Sequence, residues 1–440
     1  MLISTALRLQ QANTIEKARV LAVTHSNGAA DVLLEALLHM GVPAVRLGRP
    51  AAVSSSVQHR TIVAMAEKMP EVIRLRQRAS DVTLDGQTRS AAAFDLKQYA
   101  QDVQSMILNS APVVVTSCIG AHQLFSEDDL TFPIVVLDEA AQTTEPALVC
   151  ALAASKAEQL VLVGDTRQLP PTVTSMRLRD SLGVSPMSRL EKSKVEEFTL
   201  RVQYRMSPGL LAHPSAYFYK GLIRCADDIS ASSHRPPAGF PWPNQQPLAF
   251  LQVGNDSEVA HNFGGRSNPT EAKLVAQIVS DLLEAGEVTE YEIAVISPYA
   301  KQVQLIRAEL ALSFFKGAQN VRVGTVDSFQ GQEKDVIVFS AVRSNPLNEL
   351  GFLRDSRRLC VALTRARRGL VLVGDPSNLK TCRHWRSLLE SCEKRGCLLM
   401  ASDSLEPAMK QTDHDPQKAL EMHEGGEDEF YGLFTKVAED

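Results

Sequence analysis

Residues 134–142 read IVVLDEAAQ: four apolar residues, three of them β-branched, then two carboxylates, Asp138 and Glu139. Such a run predicts a strand buried on both faces, as in parallel sheets with helical crossovers. Its C-terminal end is where open α/β sheets bind ligands. An Asp there can hold Mg²⁺ through its waters, and an adjacent Glu can orient and deprotonate an attacking water. The same pattern also describes an ordinary solvated strand end, so its meaning depends on the rest of the chain.

The rest of the chain repeats it. Short β-branched runs that end in polar or glycine-bearing turns recur at 18–27 (ARVLAVTHSN), 112–118 (PVVVTSC), 159–165 (QLVLVGD), 292–299 (EIAVISPY), 335–342 (DVIVFSAV) and 369–375 (GLVLVGD). Amphipathic helical stretches separate several of them, and the fold class is α/β with parallel sheets. The pattern breaks twice. Residues 54–110 are polar, arginine-rich and helical in tone, an insertion in the first α/β unit. Residues 231–247 carry Pro236, Pro237, Gly239, Pro241 and Pro243 and predict an irregular surface loop. Beyond that loop, Asn268-Pro269-Thr270-Glu271 opens a helix, with Asn268 as N-cap, Pro269 at the first position and Glu271 reaching back to cap. Val275, Ile278, Val279 and Leu282 form its apolar face, and Gly286 ends it.

Composition limits the function classes. Hydrophobic residues are 44% and charged residues 22% of 440, values of a globular chain rather than a disordered one. No apolar run has the ~18 residues of a membrane span, and the N-terminus lacks the pattern of a secretory leader. The seven cysteines are scattered with no CxxC pair, which predicts reduced thiols in the cytoplasm or nucleus rather than disulfides or zinc. The net charge of −5 is uneven. Residues 401–440 carry eleven acidic groups and three lysines, so the remaining body is slightly basic and permits nucleic-acid binding.

Four further segments carry chemistry. QLVLVGDTRQLPP (159–171) predicts a second buried strand, with Gln168 on a proline-terminated loop where it can bond water or a γ-phosphate. LRVQYRM (200–206) offers the stacking face of Tyr204 and the forked cation of Arg205. VGTVDSFQGQEKDVIVFS (323–340) contains Gly324, Thr325, Gly331, Gln332 and Glu333. RRLCVALTRARRGLVLVGD (357–375) presents Arg365, suited to stabilising charge on a transferred phosphoryl group.

In this order the blocks closely resemble superfamily-one helicases of the 1B branch, the nonsense-mediated-decay and senataxin type. VLAVTHSNGAAD, VVVTSCIGA, VLDEAAQ, LVGDTRQLPP, QYRM, VISPYAKQ, GTVDSFQGQEKD and RRLCVALTRAR run in the family's order from about residue 20 to 375. The resemblance implies two RecA-like domains, 1–197 and 198–400, and the acidic composition of residues 401–440 predicts a disordered tail after them. It also implies ATP in the cleft between the domains and single-stranded RNA or DNA across the top. It implies that Asp138 serves Mg²⁺, Glu139 the water and Gln168 the γ-phosphate, that Tyr204 stacks on adenine, that Arg205 and Arg365 reach the γ-phosphate and that Glu333 meets the ribose. Ser26, Asn27, Thr116, Pro298 and Thr325 fall in the strand-holding blocks, and the 54–110 insertion takes the place of the family's helical subdomain. A monomeric, cytoplasmic or nuclear helicase of RNA, with protein partners in RNA processing or decay, is the expected function.

Two departures stand out. Cys360 replaces the family's usual Asn. No G-x-x-x-x-G-K-[ST] phosphate loop occurs in the 440 residues, and residues 1–12 read as the helix that follows that loop, with Leu2, Ala6 and Leu9 on one face. The chain is therefore expected to begin just after the loop and to lack its central strand, leaving a sheet edge open. A non-catalytic nucleic-acid-binding scaffold is the alternative reading.

Overall fold

The computed structural model describes residues 19–126, 130–254, 258–261 and 265–401. The helix expected over residues 1–12 and the acidic tail beyond 401 lie outside the described residues. The chain divides into two units, Met1–Glu197 and Phe198–Asp440, each built on its own parallel sheet.

In the first unit β1 (Val20–Thr24), β2 (Ala44–Arg46), β3 (Val113–Ser117), β4 (Ile134–Leu137) and β5 (Gln159–Leu162) align in the order β2-β3-β1-β4-β5, all parallel. The period-two alternation of side chains feeds two cores. Leu21, Val23, Val114, Val135 and Leu137 pack with Leu148 and Ala151 of helix Glu145–Ser155. Val20, Ala22, Val113, Val115 and Val136 pack with Ala30, Leu34 and Leu37 of helix Asn27–His39 on the other face. Between β2 and β3 the chain is helical, with Ile62–Ala66, Pro70–Ser80 and Gly86–Ser110; the Asp85 carboxylate caps the last by accepting from the backbone N–H of Gln87 (2.9 Å) and Thr88 (3.0 Å). One strand departs from the sequence reading. β5 is not buried: Gln159 and Leu160 are exposed, and Val161 and Leu162 are half-buried. Among the described residues it pairs only with β4, so its outer edge and part of its faces have no neighbour.

The second unit opens with a two-stranded parallel ladder, β6 (Val202–Gln203) and β7 (Arg224–Cys225). Its main sheet contains β8 (Leu248–Gln252), and a short antiparallel pair, β9 (Val259–Ala260) and β10 (Arg266–Ser267), follows. Next come β11 (Ile293–Ile296), β12 (Arg322–Gly324), β13 (Lys334–Ser340), β14 (Ala366–Gly374) and β15 (Leu398–Met400), aligned as β12-β11-β13-β14-β8-β15, again all parallel. The proline-rich segment 231–247 is irregular but not merely a surface loop. Phe240 is buried in the core, and Trp242 packs beside it, ring centroids 4.8 Å apart. Gly239 lies at φ +94°, and a Cβ there would come within 2.4 Å of the Asp281 carbonyl oxygen, so glycine is what lets this segment close on the helix.

Helix Pro269–Glu284 forms as its sequence predicts. The Asn268 side chain accepts from the Glu271 N–H (3.0 Å), and Val275, Ile278, Val279 and Leu282 are buried. Glu271, however, does not reach back to the Asn268 N–H, which donates instead to Gln302 Oε1 (2.7 Å). The fully buried Glu271 carboxyl accepts from Ser340 Oγ (2.6 Å) and from the N–H of Val342 (2.9 Å) just beyond β13. Val342 is itself buried and holds φ +71°, a costly conformation for a β-branched residue. Burial pushes the Glu271 carboxyl from the usual range up to about 8. The folded chain thus keeps a proton there that the unfolded chain releases above about pH 4.5, and this contribution to stability is lost as pH rises toward 8. Glu271→Gln mimics the protonated acid. Its stability relative to the parent, measured by urea unfolding, should increase between pH 5 and 8, by about 1.4 kcal/mol for each pH unit over which folded and unfolded states differ by one proton. A constant difference across that range would show that the carboxyl is not held protonated.

Candidate functional site

In the first unit the predicted residues gather at the C-terminal edge of the sheet. Asp138 follows β4, and its N–H continues the ladder to Val23 O (2.9 Å). Glu139 then turns left-handed, φ 53° and ψ 41°, with its N–H on Asp138 Oδ1 (3.0 Å) and its carboxylate accepting from Gln142 Nε2 (2.7 Å). This turn docks on the exit of β5. The Ala140 N–H reaches Val163 O (2.8 Å), and a Cβ on Gly164 would lie 2.9 Å from the Ala140 nitrogen and 3.0 Å from that of Ala141. Beyond Gly164, Gln168 Nε2 donates to Asp165 Oδ2 (3.1 Å). Burial raises the Asp138 carboxyl above its usual range, the Glu139 N–H partly opposing it. Among the described residues no basic side chain pairs with Asp138, whose carboxylate is therefore free of a protein cation there. A carboxylate in that setting fits Mg²⁺.

Ser26, Asn27 and Thr116 share that edge. Ser26 Oγ caps helix Asn27–His39 by accepting from Ala29 N (3.2 Å). Asn27 Oδ1 accepts from Arg46 Nη2 (3.0 Å), and Arg46, fully buried, pairs with Asp31 at 2.9 Å. Thr116 is the penultimate residue of β3, with a buried Oγ1 that has no hydrogen-bond partner among the described residues.

In the second unit three distant segments converge. The Arg205 guanidinium binds the Glu333 carboxylate through Nε and the Thr364 carbonyl oxygen through Nη1 (2.9 Å). Arg365 is buried beside them, with Nε on Val361 O (3.0 Å) and Nη2 on Thr364 Oγ1 (2.9 Å), and its carbonyl accepts the Lys334 N–H (3.0 Å). Arg367 reaches Glu333 at 3.8 Å. Tyr204 is 68% exposed on the turn before Arg205. That turn is clasped by Gln203, which sequence reasoning passed over although it opens the QYRM block. Its Oε1 accepts from the N–H of Arg205 (2.8 Å) and Met206 (2.7 Å), and its Nε2 donates to Met206 O (2.7 Å). Cys360 is buried against Tyr219 Oη (3.3 Å).

Pro298 and Thr325 are not part of this cluster. They follow β11 and β12, neighbouring strands joined by the Ser297 N–H to Gly324 O (3.1 Å), whereas Glu333 and Arg365 precede β13 and β14. All four strands are parallel, so the two sets sit at opposite ends of one sheet, roughly 20 Å apart over a strand of this length.

Two parallel sheets of this kind, with carboxylates after a first-unit strand and an arginine–glutamate cluster before two second-unit strands, make a RecA-like helicase core. Two family models, each described as an AAA domain, match residues 73–176 and 182–377. Among curated proteins the chain is 33% identical over 415 residues to "Regulator of nonsense transcripts 1 homolog" of Drosophila melanogaster, covering 91% of this chain and 34% of that protein. It is 32% identical to "Probable helicase MAGATAMA 3" of Arabidopsis thaliana (92% and 49%) and 32% identical to "ATP-dependent helicase NAM7" of Saccharomyces cerevisiae (90% and 41%). Over about nine-tenths of its length the chain is thus similar to superfamily-one helicases of the regulator-of-nonsense-transcripts type. It spans between a third and a half of the length of these relatives.

The close approach at Gly164 is testable. Gly164→Ala should cost about 1–3 kcal/mol in urea unfolding, because two of the three atoms its Cβ would meet are backbone nitrogens of the carboxylate turn, the third being Met187 Sδ at 3.0 Å. Gly28→Ala, with open space around it in the first turn of a helix, should be neutral or stabilising. Equal effects would mean that the Asp138–Glu139 turn is not braced on β5.

Proposed function

We propose that this chain is the motor core of an ATP-dependent helicase or translocase acting on single-stranded nucleic acid, RNA in preference to DNA, in the surveillance of messenger RNA. The observation that carries this reading is the convergence of Arg205, Glu333 and Arg365, which are far apart in sequence yet share one hydrogen-bonded cluster beside the exposed ring of Tyr204. Tyr204 stacks on the adenine, Glu333 accepts from the ribose, and the two arginines act on the γ-phosphate. In the first unit Asp138 holds Mg²⁺, which neutralises charge on the transferred phosphoryl group. Glu139 accepts the proton of the attacking water, and Gln168 responds to the γ-phosphate. Ser26, Asn27, Thr116, Pro298 and Thr325 hold the strand through hydroxyl, amide and backbone contacts that tolerate any sequence. The protein works as a monomer in the cytoplasm, with the nucleus as the alternative, beside protein partners of RNA processing or decay. No helix among the described residues is long and apolar enough to cross a membrane.

The test is ATP hydrolysis by the chain supplied upstream with a β-strand and a G-x-x-x-x-G-K-T loop, since the 440 residues contain no such loop. Single-stranded RNA should stimulate turnover, and Glu139→Gln should lower it about 10²- to 10⁴-fold with strand affinity unchanged. Hydrolysis indifferent to Glu139 or to nucleic acid would refute the proposal.

A further inference from the structure

Phe352 stands in the helical turn Gly351–Arg354 of the second unit, and 54% of it is exposed. None of the roles above uses it. Its ring meets Tyr299 at a centroid distance of 5.8 Å and an angle of 54°, and the Arg358 guanidinium lies 5.1 Å from its centroid. Both neighbours lead to the segments assigned to the nucleic-acid strand. Tyr299 directly follows Pro298, and Arg358 pairs at 3.4 Å with Asp327, two residues beyond Thr325. Phe352 is therefore an open aromatic surface between those two segments, with a cation beside it.

The loop that presents it is held from several sides. Tyr299 Oη donates to Leu350 O (3.2 Å) and accepts from Arg343 Nη1 (3.3 Å). The Asn345 side chain closes on both the carbonyl (2.9 Å) and the N–H (3.0 Å) of Glu349. The Glu258 carboxylate takes Arg343 Nε (3.1 Å), Ser344 N (3.0 Å) and Asn345 Nδ2 (2.9 Å). Gly351 lies at φ +51° where a Cβ would be 2.9 Å from Tyr299 Oη. The loop begins at Val342, whose left-handed backbone the Glu271 carboxyl holds. Strain of that kind persists where the surroundings over-determine it, and such places are commonly ligand clamps. An exposed phenylalanine on a braced loop loses little entropy when a flat partner covers it.

The geometry points to Phe352 as a base-stacking platform for single-stranded nucleic acid, a contact that takes any base because every base has a π-face. Arg358 adds a cation to the stack and reaches the backbone side of the same strand. This inference rests on the nucleic-acid reading above and assigns it a residue that supplies base contact rather than phosphate contact.

The experiment is fluorescence anisotropy of the 440-residue chain with a labelled oligouridylate and with an abasic strand of equal length. Phe352→Ala should weaken binding to the oligouridylate roughly ten-fold and leave the abasic strand unchanged, whereas Phe352→Tyr should keep the parent affinity for both. Equal losses on the two strands, or no loss on either, would overturn the stacking role while leaving the nucleic-acid reading intact. If the parent chain binds neither strand, the stacking role and the reading beneath it fall together.

Discussion

The hydrogen-bonded ion pair between Arg205 and Glu333 organises the functional end of the second unit. It joins the turn after β6 to the segment before β13, and through Thr364 O to the segment before β14. Each partner is about a third exposed, so the pair by itself adds little to stability. Its value is positional. The guanidinium fork fixes three chain segments at once and leaves the Tyr204 ring open beside them. Arg365 is held even more firmly, buried and bonded to its own helix end, so its charge is placed before any ligand arrives.

Parallel strands give the two ends of each sheet different uses. In the first unit Ser26, Asn27, Asp138 and Gln168 follow strands, Thr116 lies in the last two residues of β3, and all share one edge. In the second, Pro298 and Thr325 follow strands while Glu333 and Arg365 precede them. Under the proposed assignment, strand binding and nucleotide chemistry would therefore lie at opposite ends of the second sheet, because its strands all run parallel. The buried network of Glu271, Asn268, Gln302 and Ser340 lies at the end of that sheet where Pro298 and Thr325 sit, and it braces the Val342 turn.

The α/β class and most strands were legible because β-branched runs buried on both faces have few other uses. The helix from Pro269 was legible for the same reason at another period, its cap and its apolar face agreeing. What was not legible depended on tertiary partners. LVLV at 160–163 reads as buried, yet burial needs neighbours on both sides, which composition does not supply. Glu271 reads as a capping residue because its spacing from Asn268 allows it, but Gln302, thirty-four residues away in the chain, takes the N–H that it would have capped. Phe240 and Trp242 read as part of a proline-rich loop because periodicity is absent there, although the loop folds them into the core. The convergence of Arg205, Glu333 and Arg365 was suggested by resemblance alone, since nothing local in QYRM or TRAR specifies a partner over a hundred residues away. Gln203 gave no signal beyond membership in the QYRM block, and Phe352 lies between the informative stretches, in none of them.

The separation of the two ends of the second sheet is the central claim, and hydrogen exchange of the chain with and without single-stranded RNA tests it most directly. Slowed exchange at residues 299–300 and 325–328, with residues 203–206 and 332–334 unchanged, is the predicted result. Protection at 203–206 and 332–334 instead, or protection at neither end, would contradict it.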